Sequence, residues 1–354
     1  MSRAQLTSTD QQNSGGPVAP FVAGKNKIIN GDFYINQRNF TSNTTNASFN
    51  FDRWTQINNG GTFTLTPQTF TPGAAPVAGY EGKTYLQGIT ASQSAAGDYA
   101  IFDQKIEDVR NFAGQTVTVS FWAKAATGTP KIAIEIGQAF GTGGSTSVFT
   151  AGGAVTLSTS WARYSVSVAV PSISGKTITT GNDSLFELLL WVSAGTSFAS
   201  RASSIGIQNG TFSIWGVQLE AGSVATPFTT ATGTLSGELA LCQRYFYIKN
   251  GANGASGTSE MIGLGTFYNS TIFRCPLQFP VQMRTAPSFV SANSANYFQI
   301  LGNSTNNQYS TVTLDYSTPT ACDLNVTVSG ATGGQSAWLQ TNSGSAFLQF
   351  SAEL

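Results

Sequence analysis

Apolar residues recur at every second position in stretch after stretch of this chain. Val117, Val119 and Phe121 alternate with Thr118 and Ser120, and Ile132, Ile134 and Ile136 with Ala133 and Glu135. Tyr164, Val166, Val168 and Val170 do the same among serines and an alanine, and Phe63 and Leu65 among threonines. A period of two puts alternate side chains on opposite faces of a strand. Clusters of Gly, Ser, Thr and Asn punctuate the stretches as turns. The expectation is an all-β chain whose sheets pack face to face. Leu185 to Val192 is nearly continuous apolar sequence, as befits a central strand. Phe212, Ile214 and Val217 frame a strand whose alternation slips at Gly216, where a bulge is expected. Helix is nearly absent. Ile101 to Gly114 reads as one short helix or a polar loop, and GELALCQRYF (Gly237 to Phe246) as a helical turn whose aromatic continuation favours a strand.

A chain of 354 residues is long for one sandwich and comfortable for two domains. Residues 1–24 form a polar arm, 25–230 a first β domain, 231–237 a Thr/Gly-rich linker, and 238–354 a smaller second β domain. The stretch FSIWGVQLEAGSVATPF (Phe212 to Phe228) closes the first domain, and the strand at YFYI opens the second.

Composition removes several function classes. Charged residues make up 10% of the chain, against about 25% in an ordinary globular protein. Basic and acidic residues number 17 each, so no net charge draws the surface to nucleic acid or anionic lipid. Hydroxyls and amides must solvate it instead. With no histidine, the commonest general base and a common metal ligand are missing, and the many serines have no triad partner. Cys242, Cys275 and Cys322 lack zinc-ligand spacing and read as free, mostly buried thiols, with one disulfide left open. No signal peptide is visible, and no apolar run approaches the roughly 20 residues of a membrane span. The loop GTGGSTS (Gly141 to Ser147) has no lysine for a phosphate and reads as a hairpin loop.

Carboxylates are few in the middle of the first domain: Asp98, Asp103, Glu107, Asp108, Glu135, Asp183 and Glu187. A glycosidase needs two that face each other across about 5 to 9 Å. Glu135 and Glu187 are the pair to consider, but nothing in the sequence brings them together. Salt links to Lys131 or Arg163 are the simpler account, so no enzyme is expected.

Eight pieces, in order, resemble tail-fibre and related virion surface proteins of tailed bacteriophages. They are KNKIINGDFYINQR (Lys25 to Arg38), FDRW (Phe51 to Trp54), YLQ (Tyr85 to Gln87), FWAKA (Phe121 to Ala125), the Phe212 to Phe228 stretch, ELALCQRYFY, FPVQMRTAPSF (Phe279 to Phe289) and SAFLQFSAEL (Ser345 to Leu354). The first domain is also similar to carbohydrate-binding jelly rolls, which often open on Asn-Gly-x-Phe-Glu and close on an acidic strand. Asn30, Gly31, Asp32 and Phe33 match that opening, Tyr34 stands where the glutamate belongs, and Glu220 matches the close. The resemblance implies a jelly-roll β-sandwich followed by a second, smaller β-sandwich. It also implies candidate ligands for a structural Ca2+ at Asp32 and Glu220, an ion that takes six to eight oxygens. The substitution at Tyr34 counts against that site, and the plain alternative is that Asp32 caps a turn and Glu220 is solvated. No other cofactor is expected.

The six tryptophans are the most informative side chains for a glycan, because an exposed indole stacks on a sugar ring and a buried one fills a core. Trp122 and Lys124, two apart on one strand face, are the candidate sugar contacts, and Trp54, placed to plug one end of the barrel, is the third. Trp191 reads as core. Polar loops at Gly251 to Gly263, Ser291 to Phe298 and Ile300 to Ser310 offer further amides and hydroxyls. The resemblance implies a virion-surface protein on tail or capsid, a homo-oligomer with three copies expected, and a seam at Phe279, Val281 and Met283. The arm, with Ser2, Arg3 and Gln5, is the expected attachment to other virion proteins. The functional expectation is a non-enzymatic short tail fibre or receptor-binding protein contacting host surface polysaccharide. The alternative is a capsid decoration or cement protein, or a tail adaptor, with no receptor role. Neither nucleic acid nor membrane insertion is expected.

Overall fold

The computed structural model describes residues 24–77, 80–250, 259–292, 294–302 and 305–354. The first eleven strands are β1 (Ser48–Phe49), β2 (Thr55–Asn59), β3 (Thr62–Thr69), β4 (Thr84–Ala91), β5 (Tyr99–Glu107), β6 (Thr116–Ala125), β7 (Lys131–Ala139), β8 (Val148–Thr156), β9 (Ala162–Ala169), β10 (Leu185–Ala194) and β11 (Gly210–Ala221). They form a six-stranded sheet in the order β1-β2-β5-β10-β7-β8 and a five-stranded sheet in the order β3-β4-β11-β6-β9. A helix, α1 (Leu235–Gln243), then leads into β12 (Phe246–Asn250), β13 (Met261–Phe267), β14 (Ile272–Gln278), β15 (Ser288–Ser291), β16 (Phe298–Gly302), β17 (Thr305–Tyr309), β18 (Thr313–Ser317), β19 (Ala321–Thr327), β20 (Ser336–Thr341) and β21 (Phe347–Ser351). These make a three-stranded sheet, β12-β21-β15, and a seven-stranded sheet, β17-β16-β20-β13-β14-β19-β18. Among the described residues no sheet mixes strands from before α1 with strands after it. The chain is all-β, two antiparallel sandwiches in succession.

The alternating residues do what a period of two requires. Val117, Val119 and Phe121 of β6 and Ile132, Ile134 and Ile136 of β7 point into the first core, which also holds Phe186, Leu188 and Leu190 of β10. β10 lies between β5 and β7, which explains its continuous apolar sequence. Its inner face meets the other sheet, and its outer face carries Leu189 and Trp191, part of a separate apolar cluster. At Gly216 the register of β11 shifts against β6 and φ is 62°. A Cβ there would press on the Trp122 ring at 2.8 Å, so the bulge and the glycine require each other.

Three expectations need correction. Ile101 to Gly114 holds no helix: β5 runs to Glu107, and the chain then turns with positive φ at Asp108, Phe112 and Gly114. The charged residues between Ile106 and Val109 belong to a strand end and a turn, so their helix-like spacing is accidental. The stretch from Leu235 is helical, beginning inside the expected linker, with the Thr234 side chain accepting from the Gly237 N–H. The strand begins only at Phe246. Phe279 and Met283 line no seam, because both are buried in the second core. All three cysteines are free and buried. Among the described residues no helix is long and apolar enough to cross a membrane.

The two sandwiches meet through a buried polar joint. Arg53, 1% exposed at its side chain, pairs with Glu353, donates to the Lys105 carbonyl and lies 3.5 Å from the centroid of the Tyr245 ring. Arg38 pairs with Glu353 at 3.0 Å and with Asp52 at 3.5 Å, and covers the Phe246 ring at 3.7 Å. Gln37 clamps Asp52 through its backbone and side-chain N–H groups, both at 2.7 Å. Arg244 grips Glu107 with two bonds of 2.8 and 2.9 Å. Arg284 donates to the carbonyls of Ala352, Glu353 and Asn182. Glu238 of α1 accepts from the Asn30 N–H at 2.9 Å. Burial lowers the Arg53 pKa and brings that of Arg38 down to about 10, although the neighbouring Asp52 works the other way for Arg38. Five of the eight pieces that carry the phage resemblance therefore converge on one place.

Candidate functional site

The outer face of the six-stranded sheet holds an apolar cleft with a polar end. On β10, Glu187, Leu189 and Trp191 project from this face. Register places Glu187 between Lys105 and Gly137, Leu189 between Asp103 and Glu135, and Trp191 between Ile101 and Ala133. On the flanking strands, Thr55 and Ile57 stand opposite Asp103 and Ile101, and Phe149 stands opposite Gly137. After β10 the chain makes a 3-10 turn at Thr196–Phe198 and folds back, so that Phe198, Ala202 and Ile205 pack against Tyr99 and Trp191. A cavity of about 260 Å³ remains, lined by Ile57, Tyr99, Ile101, Phe149, Glu187, Leu189, Trp191, Phe198 and Arg201.

Aromatic rings dominate its rim. Tyr99 and Phe198 meet edge to face at 4.8 Å, and Trp191 lies 5.6 Å from Phe198. Phe149 is 42% exposed. The Arg201 guanidinium sits 3.8 Å from its ring centroid and is fixed by two bonds of 2.8 Å to Glu135. Glu135 also accepts from the Trp191 indole N–H at 3.0 Å. With three donors on its two oxygens, Glu135 is a structural anchor.

The polar end is a carboxyl pair. Asp103 accepts from the Thr55 hydroxyl at 2.5 Å and lies near Glu187, one strand pairing away on β10. Burial raises the pKa of Glu187 to about 9, and the charge of Asp103 reinforces the rise. Burial raises Asp103 as well, while the bond from Thr55 holds it down. At neutral pH Glu187 therefore keeps its proton. A protonated carboxyl on the cleft wall offers a hydroxyl-bearing ligand both a donor and an acceptor. Gly137 keeps the space beside it open: a Cβ there would stand 2.9 Å from a Glu187 carboxyl oxygen and 3.1 Å from Phe149.

The expected site residues lie elsewhere. Trp54 contacts no ligand from where it sits; it is fully buried, donating its indole N–H to the Asn30 carbonyl at 3.1 Å. Its place beside Phe33 at 5.0 Å makes it core beneath the joint. Trp122 and Lys124 do share a face, on the five-stranded sheet across the sandwich from the cleft. The Trp122 ring is half-buried among Trp215, Phe228 and the Arg163 guanidinium, at 5.6, 6.1 and 4.9 Å. Lys124 lies 5.2 Å from the Trp161 ring. Asp32 and Glu220 are not brought together. The segment between them runs beside β11, with Gly31 bonded at Val217 and Lys27 at Leu219, which leaves the two carboxylates at opposite ends. Asp32 accepts from the Tyr80 hydroxyl at 2.9 Å. Glu220 accepts from Lys25, Gln218 and Thr226, so an ammonium and amide and hydroxyl donors fill the place of a cation. Among the described residues no three Cys, Asp or Glu side chains form a metal-ligating group. Ser2, Arg3 and Gln5 lie outside the described residues, as do 251–258 and 303–304 of the polar loops.

Sequence reasoning passed over the Asp103–Glu187 pair because Asp103 was read into a helix or loop. The signal was present: Ile101, Asp103 and Lys105 alternate as cleanly as Glu187, Leu189 and Trp191.

No protein-family model matches the chain, and no curated protein matches its sequence. Solved structures of similar form include the enzymatically active domain of tailspike protein 4 from bacteriophage CBA120. It is 17% identical over 56% of this chain, with a TM-score of 0.33, and the match spans 21% of the tailspike chain. The CBM22-2 xylan-binding domain of Paenibacillus barcinonensis Xyn10C is 19% identical over 49% of this chain and 94% of that domain, with a TM-score of 0.31. The family 11 carbohydrate-binding module of Clostridium thermocellum is 12% identical over 53% of this chain and 99% of that module, with a TM-score of 0.32. Likeness at these TM-scores assigns no ligand and no activity.

Proposed function

We propose that the protein is a non-enzymatic glycan-binding protein whose cleft on the six-stranded sheet holds a sugar chain. One observation carries this reading: an apolar cleft rimmed by Tyr99, Phe149 and Phe198 ends at the carboxyl of Glu187, whose pKa burial and the nearby Asp103 push up to about 9. Aromatic rings cover the C–H faces of a pyranose, and a protonated carboxyl meets its hydroxyls. The same pair argues against hydrolysis. Asp103 is fully buried and of the two only Glu187 lines the cleft, whereas glycosidases hold the scissile bond between two carboxyls about 5 to 9 Å apart.

Calorimetry with a panel of neutral oligosaccharides tests the site. Phe198→Ala and Gly137→Val each weaken binding about tenfold or more, equivalent to about 1.4 kcal/mol or more, while Trp122→Ala leaves it unchanged. Unchanged affinity in both cleft variants rejects the cleft. Release of reducing ends on long incubation rejects the non-enzymatic reading.

The order of the sequence pieces supports a finer placement on a tailed-phage particle, as a short tail fibre or receptor-binding protein in three copies, attached through residues 1–24. A decoration, cement or adaptor role is the second reading, favoured by the position of those pieces. Most of them build the joint between the sandwiches, so what they share with fibres is architecture. Cryo-electron microscopy of the intact particle separates the two. Density at the tail with the cleft facing outward supports the fibre, and density spread over the head lattice removes it.

A further inference from the structure

The seven-stranded sheet of the second sandwich turns an unusual surface to solvent. Tyr268 and Tyr316 are 64% and 65% exposed, among the most exposed large side chains described. They come from opposite ends of the β14–β19–β18 region yet flank one guanidinium. Arg274 lies 4.5 Å from the Tyr268 ring and 5.7 Å from the Tyr316 ring. Asp315 and Asp323 hold it at 2.8 and 3.7 Å, so the fork is set in place before anything binds. Its buried Nε–H has no hydrogen-bond partner among the described residues, and an unmet buried donor is costly. Beside it opens a cavity of about 300 Å³ lined by Thr266, Tyr268, Arg274, Pro276 and Asp323. The apolar surface continues across the sheet to Leu264 and Trp338, paired with each other and 51% and 45% exposed. From β20 to β18 are four strand spacings, or roughly 19 Å, a span suited to several linked sugars.

We propose that this face is a second glycan-binding platform and that its ligand is a neutral oligosaccharide. Tyr268, Tyr316 and Trp338 supply flat apolar surfaces, while Arg274, Asp323 and Thr266 supply hydroxyl partners. Charge decides between sugar classes. One guanidinium faces two carboxylates, which leaves the patch negative and disfavours sulfated, sialylated and uronic sugars. The platform shares no residue with the first-sandwich cleft, and the assignment does not depend on it.

Fluorine NMR of the full chain labelled with 3-fluorotyrosine tests the platform. Tyr→Phe variants assign the signals of Tyr268 and Tyr316 for this face and of Tyr99 for the cleft, so the two sites report separately. Xylohexaose, cellohexaose, maltohexaose and galactotriose serve as neutral probes, sialyllactose and a heparin hexasaccharide as anionic ones. The Tyr268 and Tyr316 signals are expected to shift saturably with at least one neutral probe, and Tyr316→Ala to weaken that response about tenfold at Tyr268. Arg274→Gln has the same effect, and Phe198→Ala has none. The proposal is overturned by silence of both rings toward every neutral probe, or by a response to anionic probes alone. It is equally overturned if the same signals move with protein concentration in the absence of sugar, which would assign the face to a second copy of the chain.

Discussion

Glu353→Ala lowers the unfolding free energy by about 3 to 5 kcal/mol, the cost of breaking a buried ion pair by removing one partner. Two guanidiniums converge on this carboxylate, from Arg53 at 1% and Arg38 at 14% side-chain exposure. Arg38 retains Asp52 after the substitution. Arg53 retains only a carbonyl and the Tyr245 ring, so most of the loss falls there. Urea unfolding followed by tryptophan fluorescence measures it, and a loss below about 1 kcal/mol would mean that solvent reaches the joint. The combined change Arg53→Met with Glu353→Leu recovers much of the stability, since a well-packed apolar pair replaces a buried charged one at little cost. If the double variant is no better than Glu353→Ala, shape rather than charge governs the joint.

Through Glu187, stability falls as pH rises from about 5 to about 9, and Glu187→Gln flattens that slope. In the unfolded chain Glu187 releases its proton near the ordinary glutamate range; in the folded protein it keeps it up to about 9. Between those values the folded state holds one proton more than the unfolded state. Its advantage is complete at low pH and shrinks at a rate of up to about 1.4 kcal/mol per pH unit. The amide of the variant does not titrate. Urea midpoints at several pH values compare the two proteins. Parallel profiles would show that Glu187 is ionised at neutral pH, and the donor role in the cleft would go with it.

Much of the fold was legible because alternation is a local signal. Val117 to Phe121 and Ile132 to Ile136 needed only their own neighbours to be placed on a core face, and Gly216 announced its bulge by a slip in phase. The site was less legible because it is made by register. Asp103 and Glu187 belong to strands separated by some 80 residues, and only the pairing of β5 with β10 sets them side by side. Trp54 misled for a related reason. A tryptophan's chemistry suits a sugar face and a core equally, and the choice here depends on a joint formed by residues from across the chain. Trp122 and Lys124 were correctly set on one face, but neither the Arg163 guanidinium nor Phe228 could be foreseen beside that indole.

The joint also bears on how the protein comes to be made. Arg53 and Glu353 are 300 positions apart, and at ribosomal speeds of 5 to 20 residues per second roughly 15 to 60 s separate their synthesis. Throughout that interval the nascent first sandwich carries two arginines destined for burial, with the partner they share not yet translated. Such a molecule is complete in its sheets but unfinished at one end, exposed to chaperones and proteases until the second sandwich arrives to close it. A ribosome that stalls inside the second sandwich therefore leaves a first sandwich whose two arginines lack the carboxylate they share.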